Sequence, residues 1–171
     1  MDRALTYKVG YKSYAVALRP VLIDGTVFLV LYLLIFLRTN SLLWLSIGAV
    51  LYLGLYLIPA VNLFYNHKKH NICKKLVLDL DQIWINDRMI AVNMLENIRF
   101  VGTEYALGRR RLGRGVLPYD YFFYVELNLK DETIYLSRII NPHLIKALKQ
   151  RYYSIEKKEL LVFYPLIKSL L

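Results

Sequence analysis

The sequence predicts a membrane-embedded α-helical hairpin joined to a small α+β domain, an antiparallel β-barrel or sandwich of about six or seven strands capped by a C-terminal helix. Three features carry that expectation. Two long apolar runs fill Pro20–Tyr65 and break only at Leu37-Arg38-Thr39-Asn40-Ser41. After Lys74 the apolar residues alternate with a period of two, and near the C-terminus an amphipathic helical pattern follows Asn141-Pro142.

The second apolar run, Asn40 to Asn66, holds 27 residues without a formal charge, and about 20 suffice to span the hydrocarbon of a bilayer. The first, Gly25 to Leu37, has 13, and reaches about 18 when Pro20 starts it and Asp24 lies near the headgroups. No small-residue cleavage site follows the first run, so it reads as a retained helix rather than a signal peptide. Residues 1–19 carry Arg3, Lys8, Lys12 and Arg19 among several tyrosines. They read either as an interfacial helix or as the plain basic flank of a spanning helix. The segment His67-Lys68-Lys69-His70-Asn71-Ile72-Cys73-Lys74-Lys75 supplies a second basic flank, whereas the intervening turn has Arg38 alone. This lysine and arginine bias predicts both termini in the cytoplasm.

Beyond the basic linker, Leu76, Leu78 and Leu80 alternate with Lys75, Val77, Asp79 and Asp81, the pattern of a half-buried strand. Ile83-Trp84-Ile85 continues it, and Asn86-Asp87-Arg88 is a turn signal because Asn and Asp tolerate positive φ. Strands are expected at Met89–Val92 and Asn97–Val101. Phe123, Val125, Leu127 and Leu129 alternate with Tyr124, Glu126 and Asn128, and Lys130-Asp131-Glu132 turns the chain back into Thr133–Ser137. Asn141 as N-cap and Pro142 at the first helical position open a helix with Leu144, Ile145, Leu148 and Tyr152 on its apolar face. The expected organisation is a basic N-terminal flank (1–19), the hairpin (20–66), a basic juxtamembrane linker (67–75), the β-rich domain with its helix (76–152) and an apolar C-terminal segment (153–171).

The net charge of +10 calls for an anionic partner, and beside a membrane anchor that partner is anionic lipid rather than nucleic acid. A single cysteine, Cys73, excludes an intramolecular disulfide and a cysteine-based zinc site; its lysine neighbours are expected to lower its pKa. No Gly-x-Ser-x-Gly, His-Glu-x-x-His or Gly-x-Gly-x-x-Gly pattern is present. The expectation is a protein that is not an enzyme and needs no cofactor or metal.

The rhythm of Asp81–Ile98, the hairpin Phe123-Tyr124-Val125-Glu126-Leu127-Asn128-Leu129-Lys130-Asp131-Glu132-Thr133-Ile134-Tyr135-Leu136 and the closing helix resemble the small bacterial membrane-anchored pleckstrin-homology-like domain proteins. The resemblance covers residues 20–152 and implies a compact barrel behind a transmembrane hairpin. It brings no catalytic residues with it, and the segment after Tyr153 departs from the pattern. The order of parts also resembles the two-transmembrane β-rich effectors of antiphage signalling, in which a barrel gated by a cyclic nucleotide acts on the membrane. An accessory subunit of a larger membrane complex is a third reading.

Candidate binding residues are Arg109, Arg110, Arg111 and Arg114, set among Gly108, Gly113 and Gly115. Arginine forks match phosphate oxygens, and glycine lets backbone approach a ligand; the competing reading is a solvated loop near an anionic membrane. Lys68, Lys69, Lys74 and Lys75 are expected to hold the domain against anionic headgroups, each contributing about 1 kcal/mol at the surface. His67 and His70 belong to the same electrostatic flank, and Asp79, Asp81 and Asp87 to a solvated edge. Asp24 is expected to be solvated or paired with Arg19, with a role in assembly or conduction as the alternative, and Asp24, Pro59 and Asn62 form the candidate packing set of the hairpin. The expected partners are the bilayer and a protein, which includes a second copy of the chain.

Overall fold

The computed structural model describes residues 4–71, 73–109 and 117–167. Arg110, Arg111 and Arg114 lie outside the described residues. The chain opens with a strand, β1 (Leu5–Lys8), then runs into α1 (Tyr11–Thr39). Asn40 in the left-handed region (φ 47°) returns its N–H to Phe36 O and lets the chain reverse. The second long helix comprises α2 (Leu42–Leu51), a π-helical stretch at Tyr52–Leu57 and α3 (Ile58–His70). Pro59 accounts for the π stretch. It has no N–H to offer the carbonyl four residues earlier, and Ile58 N–H bonds Leu53 O, five residues back.

Both helical segments, Tyr11–Thr39 and Leu42–His70, are 29 residues long and apolar enough to cross a membrane. Most of their apolar side chains face outward, Leu29, Leu33, Leu37, Leu43, Val50 and Leu55 among them, while Ala17, Val21, Tyr56, Ala60 and Leu63 are buried. The two pack through glycine. A Cβ on Gly48 would lie 1.7 Å from the Tyr32 ring, and one on Gly25 would lie 2.9 Å from the Tyr56 ring. The tyrosines that fill these notches donate across the pair, Tyr32 Oη to Trp44 O (2.5 Å) and Tyr56 Oη to Val21 O (2.6 Å).

After the hairpin come β2 (Lys75–Leu78), β3 (Gln82–Ile85), β4 (Arg88–Ala91), β5 (Leu95–Gly102), β6 (Phe123–Leu129), β7 (Thr133–Ser137), α4 (Leu144–Arg151) and β8 (Lys157–Leu161). They form two four-stranded sheets, β1-β2-β3-β4 and β7-β6-β5-β8. All described pairings are antiparallel except β8 beside β5. Leu76, Leu78, Ile83, Ile85 and Ile90 of the first sheet pack with Ile98, Phe100, Val125, Leu127 and Leu136 of the second, and Leu144, Leu148 and Tyr152 close the core from α4.

Several expectations change here. The sheets are open and do not close into a barrel. Residues 5–8, expected in a basic flank, are a strand: Leu5 pairs with Leu78 and Lys8 with Lys75. The hairpin is thus inserted between two neighbouring strands of one sheet. Leu80, expected on a buried strand face, is exposed, because β2 ends at Leu78 and Asp79-Leu80-Asp81 form the turn into β3. α4 begins at Leu144, not Pro142; the Asn141 side chain instead accepts the His143 N–H (2.6 Å). The C-terminal segment adds β8 to the second sheet and continues along the hairpin.

Cys73 is fully buried, and burial pushes its thiol up to about 12, the reverse of the expected lowering by lysines. A water-soluble maleimide is therefore expected to leave the folded protein unmodified at neutral pH and to react rapidly once it is unfolded, as followed by intact mass. Gly48→Ala is expected to destabilise the hairpin by about 1–3 kcal/mol in a detergent melt, because the Tyr32 ring must leave its notch. Gly54→Ala, with open space at its Cβ, serves as the neutral control.

Candidate functional site

One face of α3 carries Pro59, Asn62, Leu63, Asn66 and His67, a spacing that stacks them on a single side of a helix. That face meets the second sheet and the segment beyond β8. Tyr164 Oη donates to Pro59 O (3.1 Å), and the Asn62 side chain bonds the same tyrosine. Asn66 grips the backbone of Ile167 twice, donating to its carbonyl (3.1 Å) and accepting its N–H (2.8 Å). Pro59 and Asn62 therefore bind the β region, where packing of helix on helix was expected.

His67 is fully buried at the centre of this face. Its Nε2 lies 2.8 Å from Pro165 O and its Nδ1 2.8 Å from Ser137 Oγ. A carbonyl only accepts, so Nε2 carries a proton. Ser137 Oγ accepts the Ile139 N–H (3.2 Å) and completes the set by donating to Nδ1. The imidazole edge rests on Phe122 at 5.1 Å between centroids. A serine within reach of a histidine has the look of a nucleophile and its base, but both side chains are wholly buried and Nε2 is tied to Pro165, so solvent substrate has no approach to Ser137. The pair works as a clamp between α3, β7 and the C-terminal segment.

The α1 side of the junction is held by Asp24. Its carboxylate accepts from Tyr121 Oη of the short 3-10 turn Pro118–Tyr121. Val21, Tyr56, Ala60, Leu63, Tyr121 and Phe122 bury one another around it. Tyr105 meets the Tyr121 ring edge-on at 5.9 Å, and Tyr119 lies 4.5 Å from Phe163, which is 74% exposed. A rim of half-buried Tyr105 and Tyr119 with exposed Phe163 thus follows the junction, over the buried Tyr121. Arg138, directly after β7, holds its guanidinium 5.8 Å from the Tyr121 ring centre. Burial pulls its pKa down to about 10, with Tyr121 and Tyr105 opposing that effect, so it remains a cation at neutral pH.

The predicted basic residues separate into groups. Lys68 lies over the Tyr14 ring at 5.7 Å. Lys69 joins His70, Asn86, Asp87, Arg88 and Glu132 around an open groove at the end of α3. Lys74 and Lys75 both give their backbone N–H to Asn86 Oδ1, at 2.7 and 3.1 Å. Arg109 is engaged internally: its Nε donates to Glu159 (2.5 Å), which also takes Lys149 (2.6 Å). These two cations hold the Glu159 carboxyl below its usual range, against the effect of burial. The structure therefore brings Asp24, Pro59 and Asn62 into one junction and leaves the lysines along its basic margin.

Sequence reasoning missed His67, Tyr121, Arg138, Ser137 and Tyr164. The helical spacing of Asn62, Asn66 and His67 was the available signal, concealed by the lysines that follow. His67→Ala is expected to remove both clamp bonds and leave a cavity, destabilising the protein by about 2–4 kcal/mol. Limited proteolysis should then cut within 157–167 while β2–β7 survive; an unchanged cleavage pattern would count against the clamp. Comparison of the chain with protein-family models, with curated proteins and with solved structures finds no match.

Proposed function

We propose that this protein is a non-enzymatic membrane-anchored binding module of pleckstrin-homology-like type, in which the hairpin crosses the bilayer and holds the β region against anionic headgroups at the cytoplasmic face. The carrying observation is the depth of the junction on the hairpin. Between Asp24, bonded to Tyr121, and the end of α1 at Thr39 lie 15 residues, Gly25–Thr39. At about 1.5 Å per residue they extend about 22 Å, against a hydrocarbon thickness of about 30 Å. A hairpin that crosses with its turn at the far surface therefore pulls the junction against the near membrane boundary, with Tyr105, Tyr119 and Phe163 at the interface, where amphipathic rings are favoured.

Two further features support the reading. Because β1 pairs with β2, the flanks of both helices belong to one sheet and share one side of the membrane. The lysine and arginine bias assigns that side to the cytoplasm. Lys12, Lys69, Lys74 and Lys75 form no ion pair among the described residues, which leaves them available to anionic lipid. For the protein partner, the outer face of the first sheet offers Trp84 and Met89, neighbours in register and both exposed.

Hydrogen exchange on the full chain in nanodiscs tests the lipid contact. Backbone amides of Tyr105–Leu107 and Leu117–Phe122 should exchange several-fold more slowly in membranes containing phosphatidylglycerol than in pure phosphatidylcholine, and added salt should narrow the difference. Equal exchange in the two membranes at low salt would overturn the assignment of this rim to anionic headgroups.

A further inference from the structure

Arg19, Arg38 and Arg138 form no ion pair among the described residues; Arg19 and Arg38 are exposed, whereas Arg138 is half-buried. Arg88 pairs with Glu132, Arg99 with Glu126 and Arg109 with Glu159. The Arg138 guanidinium lies over the face of Tyr121, with the Tyr105 hydroxyl also acting on it. A cation taken partly out of water without an anion is costly, and a ring quadrupole offsets only part of that cost. The position is also constrained. The Arg138 N–H bonds Phe123 O, which continues the β6–β7 ladder, and the preceding residue Ser137 is locked to His67. The side chain is thus presented by the first residue of a turn whose backbone is tied to β6. Its supporting tyrosine gives its hydroxyl to Asp24, so the ring is fixed from the other side by α1.

We propose that Arg138, seated on the Tyr121 ring, is the binding group of a phosphate-ester site, and that its ligand is the phosphate of an anionic phospholipid headgroup. A guanidinium presents paired N–H donors at the spacing of two phosphate oxygens, and an anion there supplies the missing charge. The lipid is favoured over a soluble phosphate because the site sits on the residue that binds the helix hairpin at Asp24. The inference rests on the reading that the hairpin crosses the membrane, but it concerns one side chain and not the general basic margin formed by the lysines.

The test uses the full chain purified in a neutral detergent and melted with added dihexanoyl phosphatidylglycerol, or with inorganic phosphate, at matched ionic strength. The wild type is expected to melt several degrees higher with the lipid. Arg138→Met, which removes the half-buried charge and keeps most of the length of the side chain, should fold without the lipid and gain nothing from it. Arg138→Lys, which keeps the charge and loses the fork, should gain less than the wild type. An equal rise with inorganic phosphate, absent in Arg138→Met, retains the phosphate site and reassigns its ligand to a free anion. No rise with either probe overturns the proposal, and so does an equal rise in Arg138→Met; if that variant does not fold, an equal rise in Arg138→Lys does the same. Loss of this effect while the nanodisc amides still respond to phosphatidylglycerol would remove the Arg138 site and leave the lipid-facing rim intact.

Discussion

The pairing of β1 with β2 governs the rest of the structure. Leu5–Lys8 lies antiparallel to Lys75–Leu78, and Val9 N–H extends the ladder to Lys74 O (2.7 Å). Everything between these strands, including both long helices, is therefore a closed excursion from one sheet. Closing so long a loop from a disordered chain carries an entropic cost, but two antiparallel helices already bring their ends together. Hairpin and sheet each preorganise the other. Ser13 reinforces the exit from β1, its hydroxyl donating to Lys8 O (3.0 Å) and accepting Gly10 N–H (3.3 Å) at the start of α1.

A hairpin attached only through its two ends would be free to swing about the short connections at Val9-Gly10 and residues 71–74. The polar face of α3 removes that freedom. Asn66 and His67 bind the backbone of Ile167 and Pro165, groups that need partners because they lie in an irregular segment beyond the last strand. The same contacts explain why polar residues occupy a helix that is otherwise apolar. They satisfy the C-terminal segment, and that segment in turn binds the helix to the second sheet. With the first sheet attached through β1 and the second through His67 and Ser137, both halves of the β region are fixed to the hairpin.

Much of this was legible in the sequence, and the parts that were not have physical reasons. The helices, β2 to β7 and the Asn86-Asp87 turn follow from local signals, namely run length, alternation and turn chemistry. β1 also alternates, with Leu5, Tyr7 and Val9 against Thr6 and Lys8, but Lys8 and the basic residues around it, next to a spanning helix, invite an electrostatic reading. β8 carries Lys157-Lys158-Glu159-Leu160-Leu161, which has no period of two, and it is a strand because β5 offers it a parallel edge. Whether sheets close into a barrel depends on pairings between distant strands, which local pattern does not encode. His67 and Cys73 were misread for one reason: their lysine neighbours dominate the sequence, while the backbone turns those two side chains inward.

The distribution of charge completes the connection between fold and membrane. Acidic residues of the β region consume cations there: Glu132 takes Arg88, Glu126 takes Arg99, and Glu159 takes both Arg109 and Lys149. The arginine and lysine ends of these pairs are open to solvent, so each pair contributes little to stability. Their larger effect is on the field. These pairs neutralise part of the sheets, and Lys12, Lys69, Lys74 and Lys75 at the base of the hairpin, with Arg138 at the junction, are among the cations that form no ion pair among the described residues. Uniformly spread, the same charge would attract anions in any orientation. The cluster where the helices enter the sheets would favour, on the proposed membrane reading, an orientation of the β region with Tyr105, Tyr119 and Phe163 turned toward the surface that the hairpin enters.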